Sequence, residues 1–353
     1  MITIGVDAHK GAHVAVALDA AGQRCGQWQG ANGVEGWAAL RAWAEDLGEE
    51  RHWGIEGARN YGRGLAQHLV AAGEAVCDIN ARWTAAERRR ARNRSKSDLR
   101  DAQAIALYLW REGAALPVVA ADDATAVLEV LVTQRQGAVA EATRLRNQAH
   151  QLLLQCDPAY RGHLPALTTP AGIAALEAYQ APEPGALQET RAVALRLLGQ
   201  RLRLAAAQVA LLQGQIEAQA QARFAPLMRM TGVQALTAAT LAVILGPGRR
   251  FQTDADLALY AGVAPLEVSS AGRVRHRLNR GGNRQLNAIL YRIALTQLRS
   301  LPAAQAYVAR RMSEGKTKRE AIRALKRHLV RAVFRLWQEC LRGECNESLT
   351  RAA

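Results

Sequence analysis

Residues 1–30, MITIGVDAHKGAHVAVALDAAGQRCGQWQG, decide the fold class. MITIGV is a β-rich apolar run that stops at Asp7, and residues 13–30 continue as two further strands around an Ala-Gly turn, which predicts a three-stranded meander. Outward from it, GVEGWAALRAWAEDLG (33–48) has helical spacing and HWGIEG (52–57) is a short strand. YGRGLAQHLVAAG (61–73) is a helix closed by Gly73, and EAVCDIN (74–80) is another strand. From Arg82 to about Trp110 the pattern is helical and basic, broken by a polar stretch at 93–96. Strands first, then strands alternating with helices, predict an α/β sheet covered by helices over residues 1–115.

The middle, residues 116–228, has a different period. Leu128, Leu131, Ala138, Ala142, Leu145 and Leu152 recur at three and four residue steps, as do Leu195, Leu198, Leu202, Ala205, Val209, Leu212 and Ile216. Two long helices with heptad character are predicted, paired within one chain or between chains. Pro158, Pro165, Pro170, Pro182 and Pro184 lie between them and predict an irregular connection. Residues 229–353 read as shorter helices with Gly-rich joints. Within them MTGVQALTAATLAVILG (230–246) is either a helix-hairpin-helix offering backbone amides to phosphate or a packing helix.

The chain carries 46 Lys and Arg against 31 Asp and Glu, a formal charge of +15. Between Arg273 and Arg335 there are seventeen Lys or Arg and two carboxylates, so this segment holds the whole excess and the rest is neutral. Such a segment is expected to seek polyanions, and nucleic acid is the usual one. No apolar run approaches the roughly 20 residues needed to span a bilayer, and no signal peptide is evident, so a cytoplasmic protein without membrane contact is expected. Five cysteines without a CxxC pair suggest neither a disulfide framework nor zinc, and are expected to be buried thiols.

Four carboxylates stand out by position. Asp7 ends the first strand, Glu56 ends a later one, and Asp98 and Asp101 are three residues apart on a predicted helix, sharing one face. Singly, each could be a cap, an ion-pair partner or a solvated charge. Together, at strand ends facing a helix, they form an oxygen-rich site suited to Mg²⁺ or Mn²⁺, the ions that activate an attacking oxygen and stabilise a leaving oxygen in phosphodiester chemistry. Arg88, Arg89, Arg90, Arg92, Arg94 and Lys96 run directly into Asp98 and could hold a nucleic-acid strand there. RVRHRLNRGGNRQLN (273–287) reads as a β-ribbon or loop with a positive face containing Arg273, Arg275, Arg277, Arg280, Asn283 and Arg284. KTKREAIRALKRHLVRAVFRLW (316–337) is an amphipathic helix. Its apolar stripe is Ala321, Leu325, Leu329 and Val333, and Lys318, Arg323, Lys326, Arg327 and Arg331 are expected to face phosphates.

VDAHK (6–10), ERRRARNRSKSDLRDAQAIA (87–106), GVAPLEVSSAGRVRHRLNRGGNRQLNAILYRIALTQLR (262–299) and EGKTKREAIRALKRHL (314–329) occur in that order over nearly the whole chain. Together they resemble the insertion-sequence transposases of the 110 family. The resemblance implies a RuvC/RNase H-like N-terminal domain, a central helical coiled-coil hairpin and a mostly α-helical C-terminal transposase domain. It matches the family's acidic tetrad to Asp7, Glu56, Asp98 and Asp101. It also implies a serine nucleophile after a proline in the C-terminal domain; aligning Pro265 and RHRLNRGGNRQLN places it at Ser270. Because this chain reads SSAG where the family has a shorter Ser-Gly pattern, Ser269 is the alternative. The implied activity is DNA cutting and rejoining at donor and target duplexes for mobility of an insertion sequence. A structured bridge RNA would guide it, and the protein would be a homo-oligomer joined through the central helices, acting on the nucleoid of a prokaryote.

Overall fold

The computed structural model describes residues 1–81, 84, 97–113, 116, 118–246, 250–267, 276–279 and 281–351; for 266–267, 276–278 and 344–351 it describes the backbone alone. Two compact units are present: Met1–Asp123 with Leu245–Asp256, and Ala124–Ile244 with Leu257–Ala353.

The first unit is built on a five-stranded sheet. Strands β1 (Ile2–Ala8), β2 (Ala12–Leu18) and β3 (Arg24–Ala31) form the expected antiparallel meander. After helix α1 (Val34–Glu45), β4 (Arg51–Glu56) adds parallel to β1; after α2 (Arg63–Ala71), β5 (Ala75–Ile79) adds parallel to β4. The spatial order is β3-β2-β1-β4-β5, with β1 in the middle.

Alternation along β1 assigns its two faces. Ile4 and Val6 pack with Ala15, Trp53, Ile55, Leu40, Leu65 and Leu69 in a core that includes α1 and α2. Thr3, Gly5 and Asp7 alternate with them and face the other way, toward helix α3 (Asp98–Glu112), whose Ala102 and Ala106 pack on Val14, Val16 and Leu18. At the opposite end of β4 from Glu56, the Arg51 guanidinium donates to Glu74 (Nη2 to Oε1, 2.6 Å) and the Trp53 indole N–H donates to its other oxygen (2.9 Å). This largely buried ion pair locks β4 against the start of β5.

Glycine sets the distance between α3 and the sheet. A Cβ on Gly5 would sit 2.2 Å from the backbone N of Ala106 and 2.5 Å from the carbonyl O of Ala102. Gly54, the ladder partner of Gly5 on β4, would place its Cβ 3.0 Å from Leu109. The helix backbone therefore lies directly on Gly5 of the central strand, and the Leu109 side chain fills the space over Gly54.

In the second unit, the long helices α4 (Ala124–Cys156) and α6 (Ala186–Arg223) pack on each other within the chain. Leu128, Ala138, Ala142, Leu145, Leu195, Leu202, Ala205 and Ile216 of the two repeats are buried, whereas Leu131, Leu152, Leu198, Val209 and Leu212 flank the seam half-buried. The connection is more regular than its prolines predict. It contains a 3₁₀ turn at Tyr160–Gly162 and helix α5 (Pro170–Glu177), whose first position tolerates Pro170 because that N–H has no helical partner. Thr169 caps it, its hydroxyl accepting from Gly172 N at 3.1 Å.

The remaining helices are short α7 (Ala225–Met228), α8 (Ala235–Leu245), α9 (Asp254–Tyr260), α10 (Arg284–Ser300), α11 (Pro302–Ser313) and α12 (Lys318–Arg351). Strands β6 (Pro265–Glu267) and β7 (His276–Leu278) form an antiparallel ribbon between α9 and α10, in keeping with the ribbon reading of the 273–287 segment. Helix α8 is buried along most of its length, as a packing helix is. In α12 the stripe of Ala321, Leu325, Leu329 and Val333 is buried as expected, but Lys326, expected to face phosphates, is buried as well at 6% exposure. Cys77, Cys156 and Cys340 are buried; Cys25 is exposed, contrary to expectation, because it lies on edge strand β3, whose residues alternate out of the core. Among the described residues no helix is long and apolar enough to cross a membrane.

Gly5→Ala is expected to destabilise the protein by about 1–3 kcal/mol, since the added methyl meets helix backbone that cannot rotate away. Gly11→Ala, where nothing lies within 4 Å, is the control. Chemical denaturation of the two variants checks the contrast.

Candidate metal centre

Two strand ends and one helix start build the centre. The parallel ladder places Glu56 beside Asp7 as Cα partners, and because each follows its glycine by two residues both face α3. Helix α3 begins at Asp98, so its first turn carries Asp98 and Asp101 over those strand ends. Asp7 and Asp101 are each 7% exposed. Asp101, Glu56 and Asp98 all lie close enough to Asp7 for their charges to bear on it.

His9, just beyond β1, was not predicted. Its Nε2 lies 3.1 Å from Asp7 Oδ2 and 3.6 Å from Asp98 Oδ1. The ligand atoms of Asp7, His9 and Asp98 fall within 4.8 Å of one another, close enough for one divalent cation to reach all three. Thr84 is a second unpredicted member: fully buried, its hydroxyl donates toward Glu56 Oε2 (3.0 Å) and the Ala81 carbonyl (3.1 Å), which fixes the Glu56 carboxylate. The Asp-x-His spacing at a strand end and the pair Gly-x-Asp (5–7) and Gly-x-Glu (54–56) were the available signals.

Burial raises the Asp7 pKa above its ordinary value, and the negative charges of Asp101, Glu56 and Asp98 push the same way against the opposing influence of His9. A cluster of acids whose central member resists ionisation is one that a divalent cation would relieve. The donor set, mostly carboxylate oxygen, suits Mg²⁺ or Mn²⁺.

Other predicted site residues divide as follows. Arg88, Arg89, Arg90, Arg92, Arg94, Lys96, Ser269, Ser270, Arg273, Arg275 and Arg280 lie outside the described residues, and of Arg277 only the backbone is described. Asn283 caps α10, its Oδ1 accepting from Leu286 N (2.8 Å) and its Nδ2 donating to the Tyr260 hydroxyl (2.9 Å). Arg284, Lys318 and Arg323 are exposed, and Arg327 is half-buried.

Since folded Asp7 holds its proton to higher pH than an unfolded carboxylate, this group favours the fold at low pH, and that contribution fades as pH rises through the window above the ordinary value. At neutral pH the charged cluster is a cost that a cation offsets. Mg²⁺ or Mn²⁺ is therefore expected to raise the melting temperature at neutral pH, and to do so less as pH approaches the carboxylate range. Asp7→Asn is expected to raise the metal-free melting temperature and to abolish the metal response. Melting of the wild type that ignores both ions at neutral pH would remove the site.

Residues 4–158 match the transposase family DEDD_Tnp_IS110, and residues 225–309 match Transposase_20, described as transposases of the IS116/IS110/IS902 family. An insertion element IS110 uncharacterized 43.6 kDa protein of Streptomyces coelicolor is 31% identical over 260 aligned positions, covering 62% of this chain and 64% of that protein. A pilin gene-inverting protein of Moraxella lacunata is 33% identical over 107 positions (30% of this chain, 33% of that protein). A probable family 20 transposase of Pseudomonas aeruginosa is 30% identical over 123 positions (34% and 36%). The chain thus spans just under two thirds of the Streptomyces protein and about a third of the other two. With the N-terminal part that carries the four carboxylates and the basic C-terminal part both matched to one group of transposases, and in that order, the chain belongs to the IS110 family of transposases.

Proposed function

We propose that this protein is a transposase or recombinase that cuts and rejoins DNA for mobility of an insertion sequence. The observation that carries this reading is the convergence of Asp7, Glu56, Asp98 and Asp101, with His9, at the ends of β1 and β4 beneath the first turn of α3. Asp7, Glu56, Asp98 and Asp101 would hold Mg²⁺, with Mn²⁺ as a substitute, and the bound ion would supply neutralisation of phosphate charge and easier ionisation of the reacting oxygen. The names of the relatives, which concern transposition and gene inversion, point the same way.

Family membership supports Ser270 as nucleophile, with Ser269 as the alternative. Its Oγ forms a bond to phosphorus while the bond to one sugar oxygen breaks; that oxygen leaves with a proton, and the strand is held as a phosphoserine ester until a new partner hydroxyl displaces the serine. Holding the strand covalently conserves the bond that water would otherwise consume. Residues 1–115 are the RuvC/RNase H-like catalytic domain in this reading, 116–228 the coiled-coil region and 229–353 the transposase domain. The mixed sheet with central β1 agrees with the first assignment. The second agrees with the pairing of α4 and α6.

Donor and target DNA duplexes and a structured guide RNA are the partners, bound through the basic C-terminal segment. A homo-oligomer would use the central helices: Leu197, Leu204 and Leu211, seven residues apart on α6, are 53%, 61% and 64% exposed and give it a second apolar edge.

Incubation with a suicide DNA substrate and Mg²⁺ is expected to yield an SDS-resistant protein–DNA adduct. Ser270→Ala should abolish that adduct and leave nucleic-acid binding intact, whereas Asp101→Asn should remove cleavage. Strand cleavage by Ser270→Ala at the wild-type rate would instead make the protein a hydrolytic nuclease. Sequencing RNA that copurifies with the protein tests the guide, which should appear as one discrete structured species.

A further inference from the structure

Lys326 is out of place on α12. Its ammonium donates to Asn287 Oδ1 at 2.7 Å, and among the described residues it has no carboxylate partner. A lysine buried without a counter-charge is costly, and burial lowers its pKa here, with Arg323 adding repulsion. The side chain is nevertheless held in place through a relay. Asn287 Nδ2 donates to the Ala261 carbonyl (2.8 Å), which fixes the amide so that its oxygen faces Lys326. Asn279 Nδ2 ties the same joint to the Leu259 carbonyl (3.0 Å), and the Asn283 backbone N–H donates to the Tyr260 carbonyl (2.7 Å). Gly282 lies so close to Gly262 that a Cβ would be 2.3 Å from its backbone N. The NRGGNRQLN stretch (279–287) thus staples the end of α9 to the start of α10, and Lys326 hangs from that staple.

Lys326 lines a cleft of about 980 Å³ in the second unit, together with Arg284, Arg311, Lys316, Arg323 and Arg327. The carboxylate on its wall, Glu320, is engaged by the Thr317 N–H (2.9 Å) and hydroxyl (2.8 Å) in a helix-capping box and lies 3.7 Å from Arg323. Glu314 binds Arg311 at 2.7 Å. Neither acid is aimed at Lys326. The cleft is therefore a strongly positive hollow with an under-compensated ammonium in its wall, and what completes it is an anion.

We infer that this cleft is a phosphate-binding site for a nucleic-acid backbone, with Lys326, positioned by Asn287, as the buried contact and the surrounding arginines as the rim. The inference rests on the nucleic-acid reading above and extends it by assigning a phosphodiester contact to Lys326 in its buried position against Asn287, in the wall of this cleft. A point contact of this kind is sequence-independent, so it positions the strand and does not read bases.

The full chain, as wild type, Lys326→Met and Lys326→Gln, is to be titrated against random-sequence DNA and RNA duplexes over a range of salt, and its melting followed with inorganic phosphate. Gln keeps a donor for Asn287 without the charge, so it separates electrostatics from packing. Both variants are expected to fold, to bind about 10-fold more weakly, to lose about one unit from the slope of log affinity against log salt, and to lose the stabilisation that phosphate confers on the wild type. Loss toward DNA alone, RNA alone or both identifies the strand that the cleft holds. Wild-type affinity and salt slope in folded Lys326→Gln would overturn the site while leaving the nucleic-acid function standing. A wild type that binds neither duplex would overturn that function itself.

Discussion

The contact on which the first unit depends is the seating of helix α3, by its backbone on Gly5 of β1 and by Leu109 on Gly54 of β4. Side chains on the facing surfaces normally keep a helix clear of the sheet backbone. With glycine on the contact face, the helix drops closer, and its first turn comes down beside the carboxylates two residues further along each strand. The clustering of these carboxylates is thus a consequence of packing. The apolar side of the sheet, filled by Trp53, Ile4, Val6 and the α1 and α2 side chains, supplies the stability that lets the other side concentrate like charges.

That concentration has a cost, visible in the raised pKa of Asp7, and the surroundings meet it in two ways. His9 lies against Asp7 and Asp98, and Thr84 donates to Glu56, so part of the negative charge is hydrogen-bonded before any cation arrives. The arrangement favours divalent ions over a lone side-chain cation because several oxygen ligands converge from separate elements.

The second unit shows the inverse case. There the cation, Lys326, is buried, and the staple of Asn279, Asn283 and Asn287 holds it in a cleft with excess positive charge. In both places a polar group is kept away from water at a position that apolar packing alone would not choose.

Periodicity and punctuation, which are local properties, determined much of this protein. The alternation in MITIGV, the turn before β3, Gly73 after α2 and the three and four residue steps of Leu128 to Ile216 fixed the type and order of the elements, because strand and helix periods arise from backbone geometry within a few residues. The positions of the four acids were legible for the same reason: Asp7 and Glu56 lie at strand ends, and Asp98 and Asp101 in the first turn of a helix. What only the tertiary structure decided was proximity. His9 and Thr84 join the centre through contacts between elements, and Lys326 is buried against Asn287 of α10 although Arg323, one turn away on α12, is exposed. Such outcomes depend on which residues, often tens apart in the chain, are pressed together, and close packing is a property of the assembled layers that no local pattern encodes.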